Sequence, residues 1–115
     1  MTLPVLIRHL AQTKIEAYCN QRLPAHLPEQ VRIDIEIDGD AVTLVESRPH
    51  FQHPERWSRL PVARFCFNPA SNTWTLFRPH FGPHETWLPY PAKPERDLEK
   101  LISLLDTDQT GAFWG

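Results

Sequence analysis

The stretch VRIDIEIDGDAVTLVESR, residues 31–48, constrains the fold more than any other part of this chain. Val31, Ile33, Ile35 and Ile37 alternate without a break with Arg32, Asp34, Glu36 and Asp38. A period of two puts the branched aliphatics on one face and the charges on the other, the pattern of an antiparallel strand with one wet face. Asp-Gly-Asp at 38–40 is a tight-turn signal, and residues 41–48 follow as the returning strand. Loop length decides which of its residues join the isoleucines, because a one-residue slip turns every side chain over. A two-residue loop keeps Val42, Leu44, Glu46 and Arg48 on the isoleucine face; a three-residue bulged loop turns them outward. We expect the two-residue loop, since Val42 and Leu44 make better core partners than Ala41 and Thr43.

A sheet with one apolar face needs a cover, and the flanking segments can supply it. Leu3, Ile7, Leu10, Ala11, Ile15, Tyr18 and Cys19 recur at helical spacing, which predicts a helix over 3–22 that Pro24 and Pro28 end. KPERDLEKLISLLD, residues 93–106, predicts a second helix with Pro94 at its first position and a stripe of Leu98, Leu101, Ile102 and Leu105. Between them, residues 62–68 and 73–78 form a second hairpin across Pro-Ala-Ser-Asn. That loop places Trp74 opposite Phe67, Leu76 opposite Phe65 and Arg78 opposite Ala63. A short fifth strand is expected over Thr86–Tyr90. The expected fold is α+β in a single domain, 1–115: an N-terminal helix, a four- or five-stranded antiparallel meander, a C-terminal helix and a docked aromatic tail.

Composition excludes several roles. A formal charge of −2 and a pI near 6.3 argue against a generic nucleic-acid coat protein. Protonating all six histidines would move that charge from −2 to about +4, so the surface responds to pH between roughly 5 and 7. Cys19 and Cys66 fit no metal or CxxC spacing and read as reduced packing residues. Arg8 and His9 stand where a signal peptide would be apolar, and no apolar run is long enough to span a membrane. We therefore expect a cytoplasmic, soluble protein.

Arg-Pro-His-Phe is written twice, at 48–51 and 78–81, each time followed by a second His, a Glu and a Trp. In a meander, the second and fourth strands run the same way, so both copies leave the sheet at one edge. That edge would collect Glu46, Arg48, His50, His53, Arg78, His80, His84 and Glu85, walled by Phe51, Trp57, Phe81 and Trp87. Paired guanidinium groups offer forked donors that match phosphate or carboxylate, which makes Glu46, Arg48, His50, Arg78, His80 and Trp57 the candidate ligand-binding set. The plainer reading is that Glu46 pairs with an arginine as a partly buried ion pair at the end of the core face. No metal is called for; if one binds, His50, His53, His80 and His84 are the candidate ligands. Asp40 with Glu46-x-Arg48 faintly resembles a metal-dependent nuclease arrangement, although Arg resists the deprotonation that Lys permits. No serine has a nucleophile-elbow context, neither cysteine lies beside a histidine, and no Gly-rich phosphate loop occurs.

The chain ends DTDQTGAFWG, and two large aromatics so close to the C-terminus are expected to dock, either as a cap on this chain's own core or as a plug for another chain.

VTLVESRPH, HPERW, PVARFCFN, NTWTL and the terminal DTDQTGAFWG, taken together and in that order, resemble a bacterial family known as domain of unknown function 3024. The similarity covers about residues 31–115. Its matched positions include Glu46, Arg48, Pro49, His50, Trp57, Pro61, Ala63, Phe65, Trp74, Leu76, Gly111, Phe113 and Trp114. The resemblance implies a small stand-alone bacterial protein and brings no catalytic residues. The second Arg-Pro-His-Phe copy departs from the family pattern, which carries an adjacent Trp-His where this chain has Trp87-Leu88. We read the chain as a small binding or accessory protein before an enzyme, with no cofactor. Its partner would be an anionic ligand, a nucleic-acid end or an acidic protein, and homo-oligomerisation is open. The alternatives are a metal-dependent, nuclease-like hydrolase at the same edge, and an interaction module acting through the aromatic tail.

Overall fold

The computed structural model describes residues 3–22, 32–49, 52–53, 55–80, 86–107 and 113. In chain order they form α1 (Val5–Arg22), β1 (Arg32–Asp38), β2 (Ala41–Pro49), β3 (Trp57–Asn68), β4 (Thr73–His80), β5 (Thr86–Pro89) and α2 (Leu98–Thr107). The strands make one five-stranded antiparallel meander in the order β1-β2-β3-β4-β5. The fold is α+β, as expected.

Both hairpins have the expected register. Asp38 pairs with Ala41 across a two-residue turn, which sets Ile37 against Val42, Ile35 against Leu44 and Ile33 against Glu46. Gly39 takes the left-handed conformation that this turn demands, with φ of 60°. Across residues 69–72, Phe67 faces Trp74 and Phe65 faces Leu76. The core therefore lies between one face of the sheet and the two helices. Val42, Leu44, Ala63, Phe65, Phe67, Trp74 and Leu76 meet Ala11, Ile15 and Cys19 of α1 and the α2 stripe of Leu98, Leu101, Ile102 and Leu105.

Four details differ from the reading of the sequence. Leu3 is buried but precedes α1, and Leu10 is exposed together with Val5 and Leu6. The buried stripe repeats every fourth residue through Ala11, Ile15 and Cys19, and Leu10 lies a full 100° step away from it. The second helix starts at Leu98, not at Pro94. Glu95 instead exchanges both backbone hydrogen bonds with Trp74, at 2.7 and 3.0 Å, which holds this segment extended along β4. Asp97 then caps α2 by accepting from the Glu99 N–H at 3.1 Å. Third, β3 begins at Trp57, five residues before the strand expected from 62.

The fourth difference is a bulge. The pairing of β2 with β3 shifts between Leu44, which faces Ala63, and Val45, which faces Pro61. Val62 is the extra residue, and both Val62 and Ala63 join the core. The shift explains how Pro61 is tolerated in an inner strand. It also exchanges the faces of everything before it: Leu60 and Ser58 lie on the core side, whereas Arg59 and Trp57 lie on the outer side.

Candidate functional site

The helices cover only part of the apolar face. Past Leu44, Ala63 and Leu76 the same face continues with Glu46 and Arg48 from β2, Leu60 and Ser58 from β3, Arg78 and His80 from β4, and Leu88 and Thr86 from β5. Leu60 remains 45% exposed and Leu88 36%. Arg78, opposite Leu88, is half-buried, and His80, opposite Thr86, is exposed.

Glu46 is buried, 8% exposed, and accepts a hydrogen bond from Arg48 Nε, whose own side chain is 64% exposed. The pair sits two residues apart on one face because β2 alternates. Water can replace much of what the exposed arginine supplies, so the interaction is weaker than a fully buried pair. Arg48→Ala is expected to lower stability by about 1–2 kcal/mol through the buried carboxylate it strands. Glu46→Ala should cost a similar amount, and the double variant less than the two added together. A strictly additive cycle in urea denaturation would show that the pair contributes nothing.

The two arginines share a face but are staggered. Carrying the Arg64–Phe77 pairing one step further sets Arg78 level with Ala63 and hence with Leu44, four residues short of Arg48 along β2. That offset is roughly 13 Å along the strand, and Glu46 and Leu60 lie within it. Among the described residues Arg78 makes no ion pair. Trp57 opposite Pro49 lies on the outer face, away from Arg48 and Arg78. His53 Nδ1 is 3.5 Å from Glu55 Oε1 in the exposed turn before β3. His50, His84, Glu85, Phe51, Phe81 and Trp114 lie outside the described residues. Among the described residues no three histidine, cysteine, aspartate or glutamate side chains gather as a metal site. Burial pushes the Cys19 thiol up to about 11 and also raises Cys66, so neither offers a thiolate near neutral pH.

The outer face carries contacts that alternation alone does not reveal. Ala41, Thr43 and Val45 point away from the helices and are nevertheless buried. Arg59 reaches from β3 to Glu36 on β1, through Nε at 3.0 Å and Nη2 at 2.5 Å, and must cross β2 to do so. These two bonds, together with the charges of Arg59 and Arg64, hold the Glu36 carboxyl below its ordinary range. Arg64 donates Nε–H to Thr43 at 3.0 Å and lies 4.8 Å from the ring centroid of Trp87. The one signal of this arrangement in the sequence was Pro61, whose presence inside a strand marks the bulge that turns Arg59 outward.

A family model described as "Domain of unknown function (DUF3024)" matches residues 3–115, so the likeness extends through α1 as well as the sheet. No curated protein and no solved structure matches the chain. No helix among the described residues is long and apolar enough to cross a membrane.

Proposed function

The chain belongs to the DUF3024 family, and from that premise we propose that it is a small cytoplasmic binding protein, acting as a single domain, that holds an acidic protein segment on the bare end of its sheet. One observation carries this reading: exposed Leu60 and Leu88 stand beside Arg78, Arg48 and His80 on a face the helices leave open. Glu46 is the carboxylate of that face, and Arg48 already engages it. An acidic segment would place carboxylates on the guanidinium forks and apolar side chains on the leucines. A nucleic-acid end would use the forks but leave the leucines wet. The hydrolase alternative would need Glu46 free for a metal or a proton, and its bond to Arg48 works against both.

Fluorescence anisotropy with labelled acidic peptides that carry leucine or phenylalanine between their carboxylates tests the proposal. Binding should weaken with added salt and drop about tenfold in Arg78→Ala. Tighter binding of a single-stranded oligonucleotide than of any peptide, or peptide binding indifferent to both Arg48→Ala and Arg78→Ala, would overturn it.

A further inference from the structure

We propose that Arg64 anchors a second binding site, on the face of the sheet turned away from the helices, for an oxyanion carried on an apolar or aromatic body. The Arg64 guanidinium is held from two sides. Its Nε–H is committed to Thr43 Oγ1 on β2 at 3.0 Å, and its Cζ lies over the Trp87 ring, 4.8 Å from the centroid. A hydrogen bond on one side and an aromatic ring on the other fix the orientation before any ligand arrives, which lowers the ordering cost of binding. An arginine has five donors in a rigid fork. With Nε occupied, those of both Nη atoms meet no acceptor among the described residues.

Arg59 supplies the contrast on the same strand and the same face. Its Nε and Nη2 both bind Glu36, so its charge is matched and it serves as a strap across β2. Arg64 makes no such ion pair among the described residues; it acts on Glu36 only through its charge, which helps hold that carboxyl below its ordinary range. The acidic residues of this face, Asp34, Glu36 and Asp38, all belong to β1, two strands from β3. A guanidinium that only shielded Thr43 could do so with its methylenes and leave its head in water. Here the head is drawn over an indole instead.

The surroundings define the ligand's other half. Phe77 is the register neighbour of Arg64, Pro89 lies beyond Phe77, and Trp87 faces Pro79. These apolar residues share the outer face with Arg64, and Phe77 and Trp87 are each half-buried. The fork suits a carboxylate or phosphate and the apolar residues suit a ring or hydrocarbon attached to it.

Titration of the full chain with phenyl phosphate, benzoate and inorganic phosphate, followed by NMR at the Arg64 Nε–H and the Trp87 indole N–H, tests this. Both aromatic probes should give saturable shifts at those two groups, with inorganic phosphate about tenfold weaker. Arg64→Gln should abolish the shifts. If that variant does not fold, Arg64→Lys, which keeps the charge and loses the fork, should weaken binding about tenfold. Shifts that grow linearly without saturating, that survive Arg64→Lys unchanged, or that fall at Arg48 and Arg78 instead would overturn the site. Equal affinity for phenyl phosphate and inorganic phosphate would overturn the apolar half of the assignment. None of these readouts depends on the sheet-end proposal.

Discussion

Replacing Trp74 by alanine is expected to lower the stability of the protein by about 3–5 kcal/mol. Trp74 is 2% exposed and sits where three elements meet. Its ring lies 5.0 Å from that of Phe67, its register partner on β3, at a tilt of 53°, a geometry that adds attraction beyond buried area. Its backbone joins Glu95 in the segment that leads into α2. An alanine keeps those backbone bonds, so the loss measures the ring alone and the cavity it leaves. Set against the 5–15 kcal/mol typical of such a domain, that loss takes a large share of the total, and the thermal midpoint should fall by more than about 10 °C. Trp57→Ala is the control: Trp57 is exposed at the start of β3, and its removal should cost less than about 1 kcal/mol. Equal losses in the two variants would mean that the core is not centred on β4.

The two tryptophans also show where the sequence is legible. Trp74 could be assigned to the core because turn length and a period of two fix its partner once the loop at 69–72 is recognised. The first hairpin yielded to the same logic, and so did the neighbourhood of Glu46 and Arg48, two residues apart on one face. Trp57 could not be placed, because a single inserted residue, Val62, reverses the parity of everything before it. The start of α2 was hidden for a related reason. Pro94 is a good first helical residue in isolation, but a pairing between Glu95 and Trp74, distant in sequence, outcompetes the helix there. Arg64 and Trp87 belong to strands separated by β4, so no local pattern links them. Local periodicity thus reached the faces of single strands; what crosses strands, including most of the candidate chemistry, needed the assembled sheet.

That distinction bears on how the surface works. From Ala41 to Glu46 β2 is buried on both faces, with the core on one side and arginines of β3 on the other. The outer arginines bridge to other strands through their heads, Arg59 to Glu36 and Arg64 to Thr43. Arg59 neutralises Glu36, and Arg64 is left facing Trp87. On the core side the same division holds between Arg48, which engages Glu46, and Arg78, which has no ion-pair partner among the described residues.

Deleting residues 112–115 is expected to cost roughly 2–4 kcal/mol if the tail caps its own chain. Phe113 is 5% exposed, joins the core cluster, and packs on Tyr90 with ring centroids 4.9 Å apart. Tyr90 follows β5 and donates its backbone N–H to the Leu76 carbonyl at 3.0 Å, so the ring of Phe113 packs on a residue tied to β4. Burying a phenyl ring contributes about 1.5–3 kcal/mol, and the cavity left beside Tyr90 adds to the loss on deletion. The ordering entropy of a few tail residues offsets part of the gain, which holds the estimate below that for Trp74. Phe113→Ala in the full chain separates the contributions. If it matches the deletion, Phe113 supplies the whole effect; if the deletion costs clearly more, Trp114 docks as well. A tail that plugged a neighbouring chain would behave differently, because its loss would leave monomer stability nearly unchanged and abolish self-association. Thermal unfolding and light scattering on the same truncated sample distinguish these outcomes. Stability and mass both unaltered by the deletion would refute the cap and the plug together.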